Sequence, residues 1–180
     1  MAKAYAALLR GINVGGRKRV PMAELRAVIG ELGLGDVRTY LQSGNAVFTS
    51  GEGDEQVLAE KLSQAINERF GFPVAVLVRD HAYLKAVADA CPFPAASLDG
   101  RLLHATFLAD PIDASHWASV DAATYLPEEF RLGDRVLYLY VPDGLGRSKL
   151  AEALAKPTNR LVATTRNWNT VTKLVELTQR

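Results

Sequence analysis

The stretch "RGINVGG" at Arg10–Gly16 is the first place in the chain where residue types and spacing indicate chemistry. Glycines let backbone N–H groups approach a phosphate, and Arg and Asn side chains can donate hydrogen bonds to its oxygens. The stretch is not a Walker loop, because no Gly-Lys-Ser/Thr closes it, and Asn13 breaks a GxGxxG pattern. The basic run Arg17-Lys18-Arg19 comes next on the same loop. We predict an anion site here; the alternative is a long surface turn whose glycines adopt positive φ.

The stretch "QSGN" at Gln42–Asn45 is a second polar motif with a glycine. We interpret it as a hairpin turn selected for backbone geometry. If strand 3 of the sheet runs parallel to strand 1, this hairpin lies at the end of the sheet opposite the start of the "RGINVGG" loop. One compact site that uses both motifs would then need the loop to fold back, or a different topology.

The stretch "TTRNWNT" at Thr164–Thr170 contains six polar residues and Trp168. Thr165 or Asn167 can cap the last predicted helix, and Trp168 begins the buried stripe of that helix. One cap needs only one side chain, so Arg166 and Asn169 are left for another role. The stretch therefore predicts a helix cap together with part of a binding surface.

Candidate nucleophiles and metal ligands are few. Neighbouring residues on a helix point in different directions, so we interpret Ser148 beside Lys149 as a helix cap and not as a Ser–Lys nucleophile. The histidines are scattered and Cys91 is the single cysteine. We therefore predict no metal site and no cofactor, and we nominate no catalytic acid or base.

The composition is that of an ordinary folded protein, with 48% hydrophobic and 23% charged residues in a chain of 180. A single cysteine excludes an intrachain disulfide and fits a reducing compartment. No apolar run approaches the roughly 18 residues of a membrane span, and the short N-terminal one lacks a cleavage site. We expect a cytoplasmic protein that does not bind membranes.

The net charge of +1 is divided unevenly along the chain. Residues 1–26 carry +5 and residues 147–180 carry +5, whereas residues 27–146 carry −9. Such asymmetry indicates an anionic partner, the candidate classes being nucleic acid, a nucleotide or another phosphate-bearing metabolite. The alternative is that acidic helices simply lie on a solvated face.

Residues 1–90 show the element order βαββαβ, which is typical of a ferredoxin-like domain. The predicted elements are a strand at 4–9, a helix from Pro21, hairpin strands at 37–42 and 45–50, a helix capped by Asp54 and a strand at 73–78. RNA-recognition domains share this order but need exposed aromatics on strands 1 and 3. Only Tyr5 and Phe48 are available there, so we do not expect RNA binding by that mode.

Two prolines in "CPFPAAS" break the pattern and predict a boundary, with a second, smaller subdomain at residues 91–180. Its predicted order is βαββα plus a terminal helix, and its first helix covers 111–123. The fold class is α+β, and the second half repeats the order of the first without a repeat in sequence.

The motifs taken together resemble one bacterial family, called domain of unknown function 1697. They are "ALLRGINVGG", "TYLQSGNAVF", "CPFP", "SKL" and "TTRNWNTVTKL". The resemblance implies a two-part α+β fold with a ferredoxin-like N-terminal portion, and it implies no activity. In the family pattern Asn usually precedes "PF", where this chain has Cys91.

The resemblance and the charge distribution together select the candidate ligand-binding residues. They are Arg10, Asn13, Gly15, Gly16, Arg17, Lys18, Ser43, Asn45, Ser148, Lys149, Arg166, Asn167, Trp168 and Asn169. The leading hypothesis is a binding module for an anionic ligand. The alternatives are a small-molecule enzyme with its site between the two subdomains, and a structural or partner-binding protein.

Overall fold

The computed structural model describes residues 1–158 and 161–180 and divides them into two compact units. The first unit contains Met1–Leu84 and Leu174–Arg180, and the second contains Lys85–Lys173. Each unit holds one four-stranded antiparallel sheet with helices, which confirms the α+β class. The boundary at residue 90 stays a prediction.

The first unit has the predicted element order βαββαβ. Its elements are β1 (Lys3–Leu9), α1 (Met22–Glu31), β2 (Gly35–Tyr40), β3 (Asn45–Ser50), α2 (Glu55–Phe70) and β4 (Val76–Asp80), and α3 (His81–Asp89) comes next. The strand order in the sheet is β2-β3-β1-β4. Asp54 caps α2 by accepting from the backbone N of Gln56, and Gly71 ends that helix in the left-handed conformation.

One face of the first sheet packs on α1 and α2 to form an apolar core. The rings of Tyr5 and Phe48 stack in this core with centroids 5.8 Å apart, and they are 1% and 0% exposed. Leu62 and Ile66 of α2 belong to the same cluster. The two aromatic rings are therefore not exposed for stacking on bases.

The second unit has the strand order β6-β7-β5-β8. Its elements are β5 (Leu103–Leu108), β6 (Glu129–Gly133), β7 (Val136–Tyr140), α4 (Lys149–Thr158) and β8 (Ala163–Asn167). The last helix, α5 (Trp168–Thr178), begins in this unit, and its residues from Leu174 onward belong to the first. Substituting β5, β6, β7 and β8 for β1, β2, β3 and β4 reproduces the strand order of the first sheet.

The helix predicted at 111–123 is wrong. The segment forms two short 3-10 turns, Ala114–Trp117 and Ala122–Tyr125. Asp113 accepts from the backbone N of Ser115, and Asp121 accepts from the backbone N of Ala123. Because each aspartate caps its own turn, the segment starts twice and does not continue as one helix.

The order βαββα plus a terminal helix is also wrong for the second unit, because it omits β8. Thr164 to Asn167 belong to this strand, which pairs with β5 and runs without a turn into α5. The sequence has no glycine or proline between strand and helix, so its pattern does not distinguish the strand from the cap of the helix.

The expected direction of strand 3 is wrong as well. β1 pairs antiparallel with β3, and Leu8 lies opposite Asn45. The hairpin makes β3 antiparallel to β2, and β1 lies between β3 and β4 and is antiparallel to both. The β2–β3 hairpin is therefore at the end of the sheet where β1 stops and the glycine loop begins.

Candidate anion-binding loop

The loop Arg10–Arg19, called the basic loop below, lies directly against the β2–β3 hairpin. The backbone N of Leu9 donates to the carbonyl O of Gly44 at 2.9 Å. Asn13 Nδ2 donates to the carbonyl O of Gln42 at 2.7 Å. The motifs "RGINVGG" and "QSGN", which the assumed strand direction separated, are thus in contact.

Asn13 holds the basic loop closed from the inside. Its Nδ2 also donates to the carbonyl O of Val20 at 3.0 Å, and its Oδ1 accepts from the backbone N of Val20 at 2.8 Å. Its own backbone N donates to the carbonyl O of Lys18 at 3.0 Å. Asn13 has φ 55°, a left-handed conformation in which Asn is tolerated. The side chain therefore shapes the loop.

The hairpin is fixed by an amide that is completely buried. Asn45 is 0% exposed, and its Nδ2 donates to the carbonyl O of Tyr40 at 2.9 Å and to Ser43 Oγ at 3.2 Å. Gly44 has φ 94°, and a Cβ there would lie 2.9 Å from Leu9 Cβ. Only glycine fits this position, whereas Ser43 is exposed beside it.

The tip of the basic loop is a two-residue turn. Val14 and Arg17 form an antiparallel bridge, with the Arg17 N donating to the Val14 carbonyl O at 3.1 Å. Gly15 and Gly16 between them have φ 60° and 72°, which is the combination of a type I′ turn. A Cβ at either glycine would meet nothing within 4 Å, so the turn faces open space.

Four cationic side chains are exposed on the basic loop: Arg10, Arg17, Lys18 and Arg19. Lys18 Nζ donates to the carbonyl O of Pro73 at 3.2 Å, and this acceptor is uncharged. The cations are fixed to a backbone that Asn13 and the hairpin hold in place. The arrangement presents a concentrated positive charge beside an accessible glycine turn.

Left-handed backbone is concentrated at this end of the first unit. Of the five non-glycine residues with positive φ in the described chain, Asn13, Lys18 and Leu41 lie in the basic loop or the adjacent hairpin. Such conformations cost of order 1–3 kcal/mol each and cluster at ligand-binding sites. The strain marks this end of the sheet as the candidate functional surface.

Arg166, predicted as a ligand contact, lies on β8 and is 7% exposed. Its Nη1 donates to Thr164 Oγ1 at 2.7 Å and to the carbonyl O of Thr165 at 3.0 Å. Burial lowers the pKa of its guanidinium to about 10, so the group is still charged at neutral pH. Both of these acceptors belong to β8 itself.

The three residues after Arg166 have separate local roles. Asn167 Oδ1 accepts from the backbone N of Thr170 at 3.0 Å and caps α5, and Trp168 is 6% exposed with its ring 6.2 Å from that of Tyr138. Asn169 is exposed and lies against Gly100, where a Cβ would come within 2.1 Å of Asn169 Oδ1. Sequence analysis missed Gly100, although the turn pair Asp99-Gly100 could have indicated it.

Ser148 caps α4, because its Oγ accepts from the backbone N of Ala151 at 2.9 Å. The same Oγ donates to the carboxylate of Glu128, a residue that no sequence motif connects with it. Lys149 is exposed next to it. The hydroxyl thus caps the helix and contacts a carboxylate, and its contact with a ligand stays a prediction.

The described residues include scattered histidines and other side chains of the metal-ligating types. His104 is 5% exposed, and burial lowers its pKa to about 4. Among residues 1–158 and 161–180, no three His, Cys, Asp or Glu side chains are grouped to hold a metal ion. Within the same residues no helix has the length and apolarity to cross a membrane. Arg160, part of the basic C-terminal segment, lies outside the described residues.

The structure thus defines a two-unit α+β protein with an exposed basic loop on the first unit. The family described as "Protein of unknown function (DUF1697)" matches residues 2–138, and the chain belongs to this family. The chain is also similar to the solved structure of the conserved bacterial protein SP0830 from Streptococcus pneumoniae. The two share 26% sequence identity with a TM-score of 0.78, over 99% of this chain and 100% of that one. No curated protein matches the sequence.

Proposed function

We propose that the protein is a cytoplasmic binding module for a phosphate-bearing anion and that the basic loop is its contact surface. The observation that supports this most is the exposure of Arg10, Arg17, Lys18 and Arg19 on ten consecutive residues of fixed backbone. Positive side chains beside glycine N–H groups are suited to phosphate oxygens.

The scaffold under the loop is consistent with a preformed site. The amide of Asn13 bonds to backbone carbonyls of the loop and the hairpin, and the amide of Asn45 bonds within the hairpin, which fixes the loop before any ligand arrives. A preformed site loses less conformational entropy on binding than a mobile one. We therefore assign Asn13 and Asn45 to positioning the loop, and the four cations to contact.

The two further hypotheses, an enzyme site between the units and a partner-binding surface, stay predictions. The basic loop belongs wholly to the first unit, so anion binding there does not depend on either of them. Cys91 is a free thiol, which fits a reducing cytoplasm.

The test is the salt dependence of binding to a short, fluorescently labelled DNA duplex, measured by anisotropy. Four phosphate contacts predict that log K falls with log salt at a slope of about −3 to −4. The double variant Arg17→Ala/Lys18→Ala should reduce the magnitude of this slope by about two. Competition by inorganic triphosphate at micromolar concentration would point to a nucleotide or similar metabolite, and weak competition would point to nucleic acid.

The matched control is Lys3→Ala/Lys61→Ala, which removes the same charge from exposed residues outside the loop. Lys3 begins β1, so it lies at the opposite end of that strand from the basic loop. We expect the control to keep the wild-type slope within about half a unit. Duplex binding that is undetectable at low salt would exclude nucleic acid as the ligand. Binding that is equally weakened by both double variants would exclude the basic loop as the contact surface.

A further inference from the structure

The second unit contains a cavity of about 90 Å³ between its sheet and α4. Thr106 of β5 and Thr165 of β8 line its polar side, and Leu139 of β7 lies next to them. Leu154 and Ala151 of α4 line the opposite side. All of these residues belong to the second unit, whereas the basic loop belongs to the first.

The polar side of the cavity has spare hydrogen-bonding capacity. Thr106 Oγ1 and Thr165 Oγ1 lie 2.8 Å apart and share one hydrogen bond. Two hydroxyls carry two protons, and this bond uses one of them. The pair can therefore donate a second hydrogen bond and accept others from a group in the cavity.

The same layer of the first unit is apolar. Ala7 and Thr106 occupy corresponding positions in the two sheets. Ala7 pairs with the second residue of β3, and Thr106 pairs with the second residue of β7. Val78 likewise corresponds to Thr165, because Ala7 pairs with Val78 as Thr106 pairs with Thr165. The fold thus accepts Ala and Val here, and the hydroxyls of the second unit are not required by the topology.

The helices explain why the space is left open. In the first unit the layer is covered by both α1 and α2, which contribute Leu25, Ile29 and Leu62 to the core. In the second unit the counterpart of α1 is replaced by the two 3-10 turns, and α4 presents Ala151 and Ala155 to the cavity. Ala155 is exposed, so the cavity reaches the surface at α4.

We infer that this cavity binds a small neutral molecule with an apolar body and one oxygen that bonds to the threonine pair. The residues that line it are threonine, leucine and alanine, so a charged ligand would be desolvated without a partner. A closed apolar cavity of about 150 Å³ accommodates benzene, so this one suits a ligand of roughly three to six non-hydrogen atoms. A short branched alcohol, ketone or amide has that size and chemistry.

The test is a titration of the full-length protein with isobutanol, monitored by NMR of the leucine methyl groups. We expect saturable shifts of Leu137 and Leu139, both of which line the cavity. Thr165→Val keeps the shape but removes one hydroxyl, and it should weaken binding by about fivefold. Ala151→Leu fills the cavity and should abolish the shifts.

Ala153→Leu is the matched control, because Ala153 lies on the same helix and does not line the cavity. It should bind isobutanol as the wild type does. If Ala151→Leu does not fold, Ala155→Leu at the exposed edge of the cavity takes its place. Absence of saturable shifts in the wild type, unchanged binding by the leucine variants, or unchanged binding by Thr165→Val would overturn the inference.

Discussion

The two units share one strand order but differ in the connection that leaves the first strand of each sheet. In the first unit β1 leads into the basic loop, with four exposed cations. In the second unit β5 leads into residues 109–113, where Asp110 and Asp113 are exposed. Because the same topology accepts a basic and an acidic connection, the charge of the basic loop is not a requirement of the fold.

The hairpins of the two units differ in the polarity of one buried residue. In the first unit the hairpin turn is held by the buried amide of Asn45, whereas Val136 occupies the corresponding register position in the second unit and is 1% exposed. A buried amide is tolerated only when it is hydrogen-bonded, so a methyl-bearing side chain is the simpler solution. In the first unit, therefore, a buried polar side chain holds the hairpin in position beside the basic loop.

The last strands, in contrast, are alike. Arg79 and Arg166 occupy matching positions of β4 and β8, opposite Ala6 and Ala105, and both are buried. The next residue caps the following helix in each unit: Asp80 accepts from the Tyr83 N, as Asn167 does from the Thr170 N. Arg166 and Asn167 therefore have counterparts in the first unit, and their contact with a ligand stays a prediction.

The largest effect that we predict from this comparison is a pH dependence of stability caused by His104. This residue occupies the position in the second sheet that Tyr5 occupies in the first. The pKa of His104 in the folded protein, about 4, lies below the ordinary value of 6.5. As the pH falls, the unfolded chain therefore binds a proton at this residue before the folded chain does. The free energy of unfolding should therefore fall by about 3 kcal/mol as the pH drops from 6.5 to 4. His104→Gln should remove this part of the pH dependence, as measured by urea unfolding.

The control for that experiment is His116→Gln, because His116 is exposed. It should keep the wild-type slope of stability against pH in the same window. An identical slope in His104→Gln and the wild type would show that the second sheet does not bury a neutral histidine.

The next effect tests whether the basic loop depends on the hairpin beside it. Gly44→Ala combines a positive φ with a contact of 2.9 Å to Leu9 Cβ, and should lower the free energy of unfolding by about 2–4 kcal/mol. Gly15→Ala also has a positive φ but open space around it, and should cost about 1 kcal/mol. Equal losses in chemical unfolding would mean that the hairpin and loop are not tightly packed.

Asn13→Ala removes the side chain that closes the basic loop. We expect a loss of about 1–2 kcal/mol in the free energy of unfolding, from the lost hydrogen bonds to Val20 and Gln42. The phosphate affinity should fall although no cation is removed, because the loop loses its fixed shape. Wild-type affinity in a folded Asn13→Ala protein would contradict the role of the scaffold.

The smallest effect concerns the cap shared by the two units. Asn167→Ala should cost about 1 kcal/mol in thermal unfolding, whereas Asn167→Asp keeps a capping oxygen and should cost little. If the basic loop is the anion site, phosphate binding should be unchanged in both variants, since Asn167 is not part of that loop. A selective loss of phosphate binding in Asn167→Asp would instead indicate that Asn167 contacts the ligand.

Local signals in the sequence predicted much of the fold. The cap at Asp54, the glycine after α2 and the β-rich runs of β1 and β3 are all encoded within a few residues. β8 was missed because its five residues run directly into α5 without a turn residue. The helix at 111–123 was predicted wrongly because two aspartates in this segment cap two separate turns.

The candidate site was predicted in part. Its cations and glycines were visible as a motif, but the contact between Asn13 and Gln42 depends on the relative direction of β1 and β3, which is a property of the whole sheet. The partnership of Ser148 with Glu128 joins residues distant in sequence, so no local pattern indicates it. The correspondence of Arg166 with Arg79 depends on the register of two separate sheets, so no local pattern indicates it either.

The most direct test is a titration of the full-length protein with inorganic pyrophosphate, in which ¹⁵N–¹H NMR monitors the backbone amides. We predict saturable shifts centred on Gly15, Gly16 and Arg17, with none at Asp134 and Arg135, the hairpin turn of the second unit. The shifts should disappear in Arg17→Ala/Lys18→Ala and persist in Lys3→Ala/Lys61→Ala. Shifts confined to the second unit, or no saturable shift in the basic loop, would contradict the assignment of this loop as the anion site.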